Sequence, residues 1–62
     1  MSYEVRTKEY EKKNWKVVKI FDTFKEAHKF AVQTEMKMRR TEHEFDSWDI
    51  KNTETKERFI VA

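Results

Sequence analysis

The run Glu42-His43-Glu44-Phe45-Asp46 gathers three carboxylates around a histidine, side chains that would serve a divalent metal or a general acid and base. The run reads as an extended connector, however, where neighbouring side chains point to different sides and do not converge on one ion. The other histidine, His28, falls a helix away. Ser2 is terminal and Ser47 sits in a strand with no histidine at a recognisable spacing, so no activated hydroxyl is placed. Cysteine and glycine are both absent, which removes thiolate chemistry and any Gly-rich phosphate loop. The expectation is a protein that is not an enzyme, without catalytic, cofactor-binding or metal-binding residues.

Recognition chemistry remains. The 62 residues include five Phe, two Trp and two Tyr, enough aromatic surface for an ordered domain despite the high charged fraction. Fourteen basic side chains face twelve acidic ones, for a net charge of +2, a balance that argues for a solvated surface rather than a strongly basic binder. A chain this short builds one thin core, so the expectation is a single domain over 1–62. It also lacks the volume for a pocket of about 300 Å3 unless a second subunit closes it, and no small-molecule substrate is expected. The most apolar run, Trp15 to Phe21, is broken by Lys16 and Lys19, far short of the roughly twenty apolar residues of a spanning helix. No membrane partner and a cytoplasmic location follow as expectations.

Five elements must position these groups. Tyr3, Val5 and Thr7 alternate in a first strand from Tyr3 to Tyr10, whose charges suggest a sheet edge. Glu11 to Asn14 leads into a stronger strand, Trp15 to Phe21, expected at the centre of the fold. Thr23 and Glu26 have the spacing of a capping box, in which the hydroxyl accepts from the Glu26 amide and the carboxylate reaches back to the Thr23 amide. The following stripe Phe24, Ala27, Phe30, Ala31, Thr34 and Met38 has helical period, and Lys37, Arg39 and Arg40 suit the negative end of the helix dipole. A helix over about 23–40 is expected. Phe45 to Lys51 alternates as a third strand with Trp48 and Ile50 on its apolar face, Asn52-Thr53-Glu54 turns, and Thr55 to Val61 closes the chain. Without glycine, Asn14 and Asn52 are the expected residues for turns of positive φ. The fold class is α+β: a two-layer ββαββ arrangement, a four-stranded, mostly antiparallel sheet with one helix packed on one face.

One helix covers one face of a sheet. Val5, Val18, Ile20, Trp48, Ile50 and Ile60 are expected beneath it, which sends Tyr10, Trp15, Val17, Phe45 and Phe59 to the open face. Such a face is a partner surface, with a protein or a second copy of the chain as the favoured occupant and the aromatics as anchors. In the alternative reading the aromatics stack unpaired bases while lysines meet phosphates. Lys12, Lys13 and Lys16, with Lys25, Lys29 and Arg40 on the outer side of the helix, are the candidate phosphate contacts. Interspersed Glu9, Glu11, Glu44, Glu54 and Glu57 speak against that reading.

Residues 21 to 31, Phe-Asp-Thr-Phe-Lys-Glu-Ala-His-Lys-Phe-Ala, are similar to the strand-to-capped-helix junction of many small α+β proteins, including ones from phages and mobile elements. That junction is structural and carries no functional residues across. Size and composition suit an accessory protein of phage type that binds and modulates another protein. A designed or purely structural miniprotein is the further alternative.

Overall fold

Thr23 stops the chain in an extended conformation, φ −124° and ψ 149°, and its Oγ1 accepts from the Glu26 amide at 3.3 Å. The amide of an otherwise open first turn is thereby satisfied. The other half of the expected box differs: the Glu26 carboxylate accepts from the Thr23 hydroxyl at 3.2 Å instead of reaching the Thr23 amide. Helix α1 runs from Phe24 to Arg39, with Lys37 and Arg39 in its last turn and Arg40 as its C-cap.

The computed structural model describes residues 2–41 and 46–62. Strands β1 (Tyr3–Lys8) and β2 (Lys16–Phe21) precede the helix, and β3 (Ser47–Asn52) and β4 (Arg58–Ile60) follow it. The four strands form one sheet in the order β2-β1-β3-β4, every neighbouring pair antiparallel. The ββαββ architecture is therefore as the sequence predicts, but the positions of the first two strands are exchanged. β1 is an inner strand and β2 an edge. The reason lies in the crossover: β2 and β3 both run antiparallel to β1, so they are parallel to each other, and the helix that joins them spans the strand between. The charges of β1 are tolerated inside the sheet because Glu4, Arg6 and Lys8 alternate with Tyr3, Val5 and Thr7 and so lie away from the helix.

The core is small: Val5, Trp48 and Ile50 from the sheet meet Ala27 and Ala31 from the helix. The two alanines have no exposed surface, and their small side chains set the helix close to the strands. The buried stripe continues to Glu35 rather than to Met38. Glu35 is accommodated by Arg39 one turn on, whose Nη2 lies 2.6 Å from its carboxylate, while Met38 is part-exposed. Tyr3, Phe21, Phe30 and Val61 close the margin of the core.

Turn chemistry departs from expectation, for neither Asn14 nor Asn52 takes positive φ. Among the described residues Lys56 alone has positive φ, 67°, at the end of the loop joining β3 to β4. Asn52 works there through its side chain, its Oδ1 accepting from the amides of Glu54 and Thr55 at 2.9 and 3.2 Å.

Candidate recognition surface on the open sheet face

The register assigns the sheet face opposite the helix. Val17 pairs with Arg6, Arg6 with Asp49 and Asp49 with Ile60, one transverse row. Ile20, Glu4, Lys51 and Arg58 form the next. No other described element covers this face.

Its centre is an ion network. Asp49 has no exposed surface, although it points away from the hydrophobic core. Arg6 grips it in bidentate fashion, Nε to Oδ1 at 2.8 Å and Nη2 to Oδ2 at 2.5 Å, and Arg58 Nε reaches Oδ2 at 2.7 Å. Two guanidiniums on flanking strands thus share one carboxylate, a geometry in which each bond is charge-assisted. The hydrogen bond to Asp49 raises the Arg6 pKa above its ordinary value, against the opposing effect of burial. Trp15 lies over this pair: the guanidinium carbons of Arg6 and Arg58 are 5.0 and 4.9 Å from its ring centroid and Lys8 Nζ is 5.8 Å away, within cation–π range. Around the Trp15–arginine centre, Ile20 is 55% and Ile60 61% exposed.

The residues expected on this face are distributed differently. Trp15 is there, half-buried against the arginines. Val17 aligns with Arg6 at a register shift in β2 and is half-exposed. Phe59 is not there: it pairs with Ile50 on the helix side and packs edge-on against Phe24 and His28, centroids 5.2 and 5.6 Å apart. Ile60, expected beneath the helix, takes the open face in its place. Ile20 is displaced likewise, because Phe21 pairs with Tyr3 on the helix side and alternation turns Ile20 outward. Tyr10 follows β1 in an exposed loop, its amide donating to Asp46 Oδ1 at 3.3 Å. Phe45 lies outside the described residues, as do Glu42, His43 and Glu44. Among the described residues no three His, Cys, Asp or Glu side chains gather as a metal site, and no helix is long and apolar enough to cross a membrane.

The six candidate phosphate contacts are exposed and not brought together. Lys12 and Lys13 belong to the β1–β2 connection, where Lys12 pairs with Glu9 at 3.4 Å. Lys16 opens β2, Lys25 and Lys29 lie on the first half of α1, and Arg40 caps its end.

Sequence reasoning missed Asp49, Arg6 and Arg58 as a unit. The available signal was an aspartate inside an apolar strand, a residue type depleted in sheets, with arginines in two neighbouring strands. It also missed a cleft. Between β2 and the second half of α1 is a space of about 540 Å3 bordered by Val17, Val18, Thr34, Met38 and Trp48, contrary to the expectation that so short a chain has no room for a pocket. The helix packs through Ala27 and Ala31, and the edge position of β2 leaves this strand beyond its cover.

No family model, curated protein or solved structure matches the chain.

Proposed function

We propose that this chain is a non-enzymatic protein-interaction module that docks through the open face of its sheet. The observation that carries the reading is Trp15 held over the Arg6–Asp49–Arg58 network with exposed Ile20 and Ile60 to either side. Trp and Arg are the residues most enriched at the energetic centres of protein interfaces. A ring and two guanidiniums already locked in place lose little side-chain freedom on binding.

The partner is best matched by a different protein with an apolar centre and an acidic rim. On the open face the cations Arg6, Lys8, Lys51 and Arg58 outnumber Glu4 and Asp49, and Asp49 is buried. Two copies meeting through this face would bring like charges together, which disfavours self-docking. Base stacking has less support than a protein partner: Phe59 is turned to the helix and Trp15 already carries guanidiniums against its ring.

The test places a photoreactive residue at position 60 and, in a second protein, at position 36, where Met36 is exposed on the helix, and identifies what each captures in a cell extract. The reading expects one acidic protein joined at position 60 and not at 36, its capture weakening as salt is raised. Capture of a second copy reassigns the face to a symmetric dimer. Equal capture from both positions, or none from position 60, overturns the reading.

A further inference from the structure

A third surface lies on the helix side of the sheet, where α1 begins, and the docking reading does not use it. Three rings from three elements border one space of about 280 Å3: Tyr3 from β1, Phe59 from β4 and Phe24 from the first turn of α1. The register explains their spacing. Tyr3 pairs with Asn52 and Phe59 with Ile50 on opposite sides of β3, so this strand separates the two rings, and Ile50 and Asn52 border the space between them. Phe24 closes the gap from the helix, its ring 5.8 Å from Tyr3 at an interplanar angle of 73° and 5.2 Å from Phe59 at 79°. Two rings nearly perpendicular to a third make three sides of a box. The box is open to solvent, with Phe24 38% and Phe59 47% exposed.

Among the residues that border it, Glu57 alone brings a free charge. Glu57 is exposed, and its carboxylate has no ion pair or hydrogen bond among the described residues. Its backbone carbonyl accepts from the Asn52 amide at 2.9 Å, which holds the residue beside the floor of the box. Arg58 also borders the space, but its guanidinium is spent on the other face of the sheet, bound to Asp49 at 2.7 Å and 4.9 Å from the Trp15 ring. The positive end of the helix dipole is met by Glu26 in the first turn. Aromatic rings with a carboxylate at their edge attract a cation through the ring quadrupoles and through charge. Hydration narrows the choice of cation. A primary ammonium leaves its N–H donors unsatisfied against aromatic walls, whereas a methylated one presents apolar methyl groups and keeps its charge.

From these placements we infer that the box binds a quaternary, methylated ammonium group. Its methyl groups lie against Tyr3, Phe24 and Phe59, and Glu57 balances the charge. Binding involves no covalent step.

Choline is the probe, and dimethylbutanol, its uncharged carbon isostere, is the control. The aromatic resonances of the 13C-labelled full chain and the methyl protons of the ligand report directly. Choline is expected to move the Phe24 and Phe59 ring resonances saturably while the Trp15 ring stays in place, and its own methyl protons are expected to shift upfield in the ring currents. Dimethylbutanol is expected to bind at least severalfold more weakly. No saturable response to choline, or equal affinity for the isostere, overturns the inference. Phe59→Leu retains an apolar side chain and is expected to weaken choline roughly tenfold through the loss of one ring. Unchanged affinity overturns the box. Should that variant not fold, Glu57→Gln at its exposed position decides: a severalfold weakening of choline with dimethylbutanol unaffected supports the charge balance, and unchanged choline affinity overturns it. A short peptide bearing trimethyllysine and vesicles of phosphatidylcholine separate the sources of the group. Tighter binding of the peptide than of choline assigns it to a protein side chain, tighter binding of the vesicle to a lipid head group, and tightest binding of choline to a free small molecule.

Discussion

Asp49 lies wholly buried on the sheet face that has no helix, and Arg6 on the adjacent strand holds both of its carboxylate oxygens. A buried carboxylate is sustained there because its partners arrive from the two neighbouring strands, Arg6 from directly opposite and Arg58 from a diagonal position, so removing the partners should cost in proportion to their own burial. Asp49→Ala strands Arg6, whose side chain is 12% exposed, and is expected to lower stability by about 3 kcal/mol. Arg6→Ala should approach that value. Arg58, 43% exposed, is screened by water, and Arg58→Ala should cost less than about 1 kcal/mol. Urea denaturation of the three variants checks the order, and equal losses for Arg58 and Asp49 would contradict it. The raised pKa of Arg6 means that its contribution is present below the ordinary arginine range and lost only as pH rises through the raised value. The cost of Arg6→Ala should therefore be the same at pH 7 and at about pH 10.

Trp48→Phe is expected to leave stability within about 1 kcal/mol of the original or to raise it. The substitution retains most of the ring packing and removes a donor whose unsatisfied burial costs roughly 1 to 3 kcal/mol. Thermal or urea unfolding measures this, and a loss well beyond 1 kcal/mol would show that the indole N–H has an acceptor in the folded chain.

Thr23→Ala removes the acceptor for the Glu26 amide and should destabilise by about 1 kcal/mol, whereas Thr23→Ser should cost much less. Chemical denaturation of the pair separates the cap hydrogen bond from the loss of the methyl group. Equal costs would assign the effect to packing.

The cap, the helix bounds and the ββαββ order are legible in the sequence because each is set by local chemistry: Thr23 three residues before Glu26, alanines at helical spacing, alternation in β1 and β3. The open face is only half legible because side-chain direction in a short strand depends on register. Register is a property of the pair, not of the strand. The shift between Val5 and Arg6 on the β2 side turns Ile20 outward, and pairing of Phe59 with Ile50 does the same to Ile60. The exchange of β1 and β2 has a similar origin: hairpin spacing shows which strands are neighbours but not which side of β1 the helix returns to. Asp49 escapes because a polar residue on the uncovered face looks solvated until the two arginines are placed beside it.

Lys56 occupies the left-handed region, φ 67°, which disfavours a residue carrying a Cβ by roughly 1 kcal/mol or more. The chain has no glycine to relieve it. Lys56→Gly is expected to stabilise the protein by up to about 1 kcal/mol, reduced by the added freedom of the unfolded chain. Lys56→Val should be clearly destabilising, since a β-branched residue tolerates this conformation least. Melting temperatures of the two variants check the sign, and a stable Val variant would contradict the loop geometry.

The role of the open face is tested most directly by titrating the protein captured at position 60 with the original chain and with Trp15→Ala, by calorimetry. Removing the ring from the centre of the face should weaken affinity at least about thirtyfold, the loss characteristic of a central interface anchor, with the circular dichroism of the free chain unchanged. Equal affinity for the two chains would contradict recognition through this face.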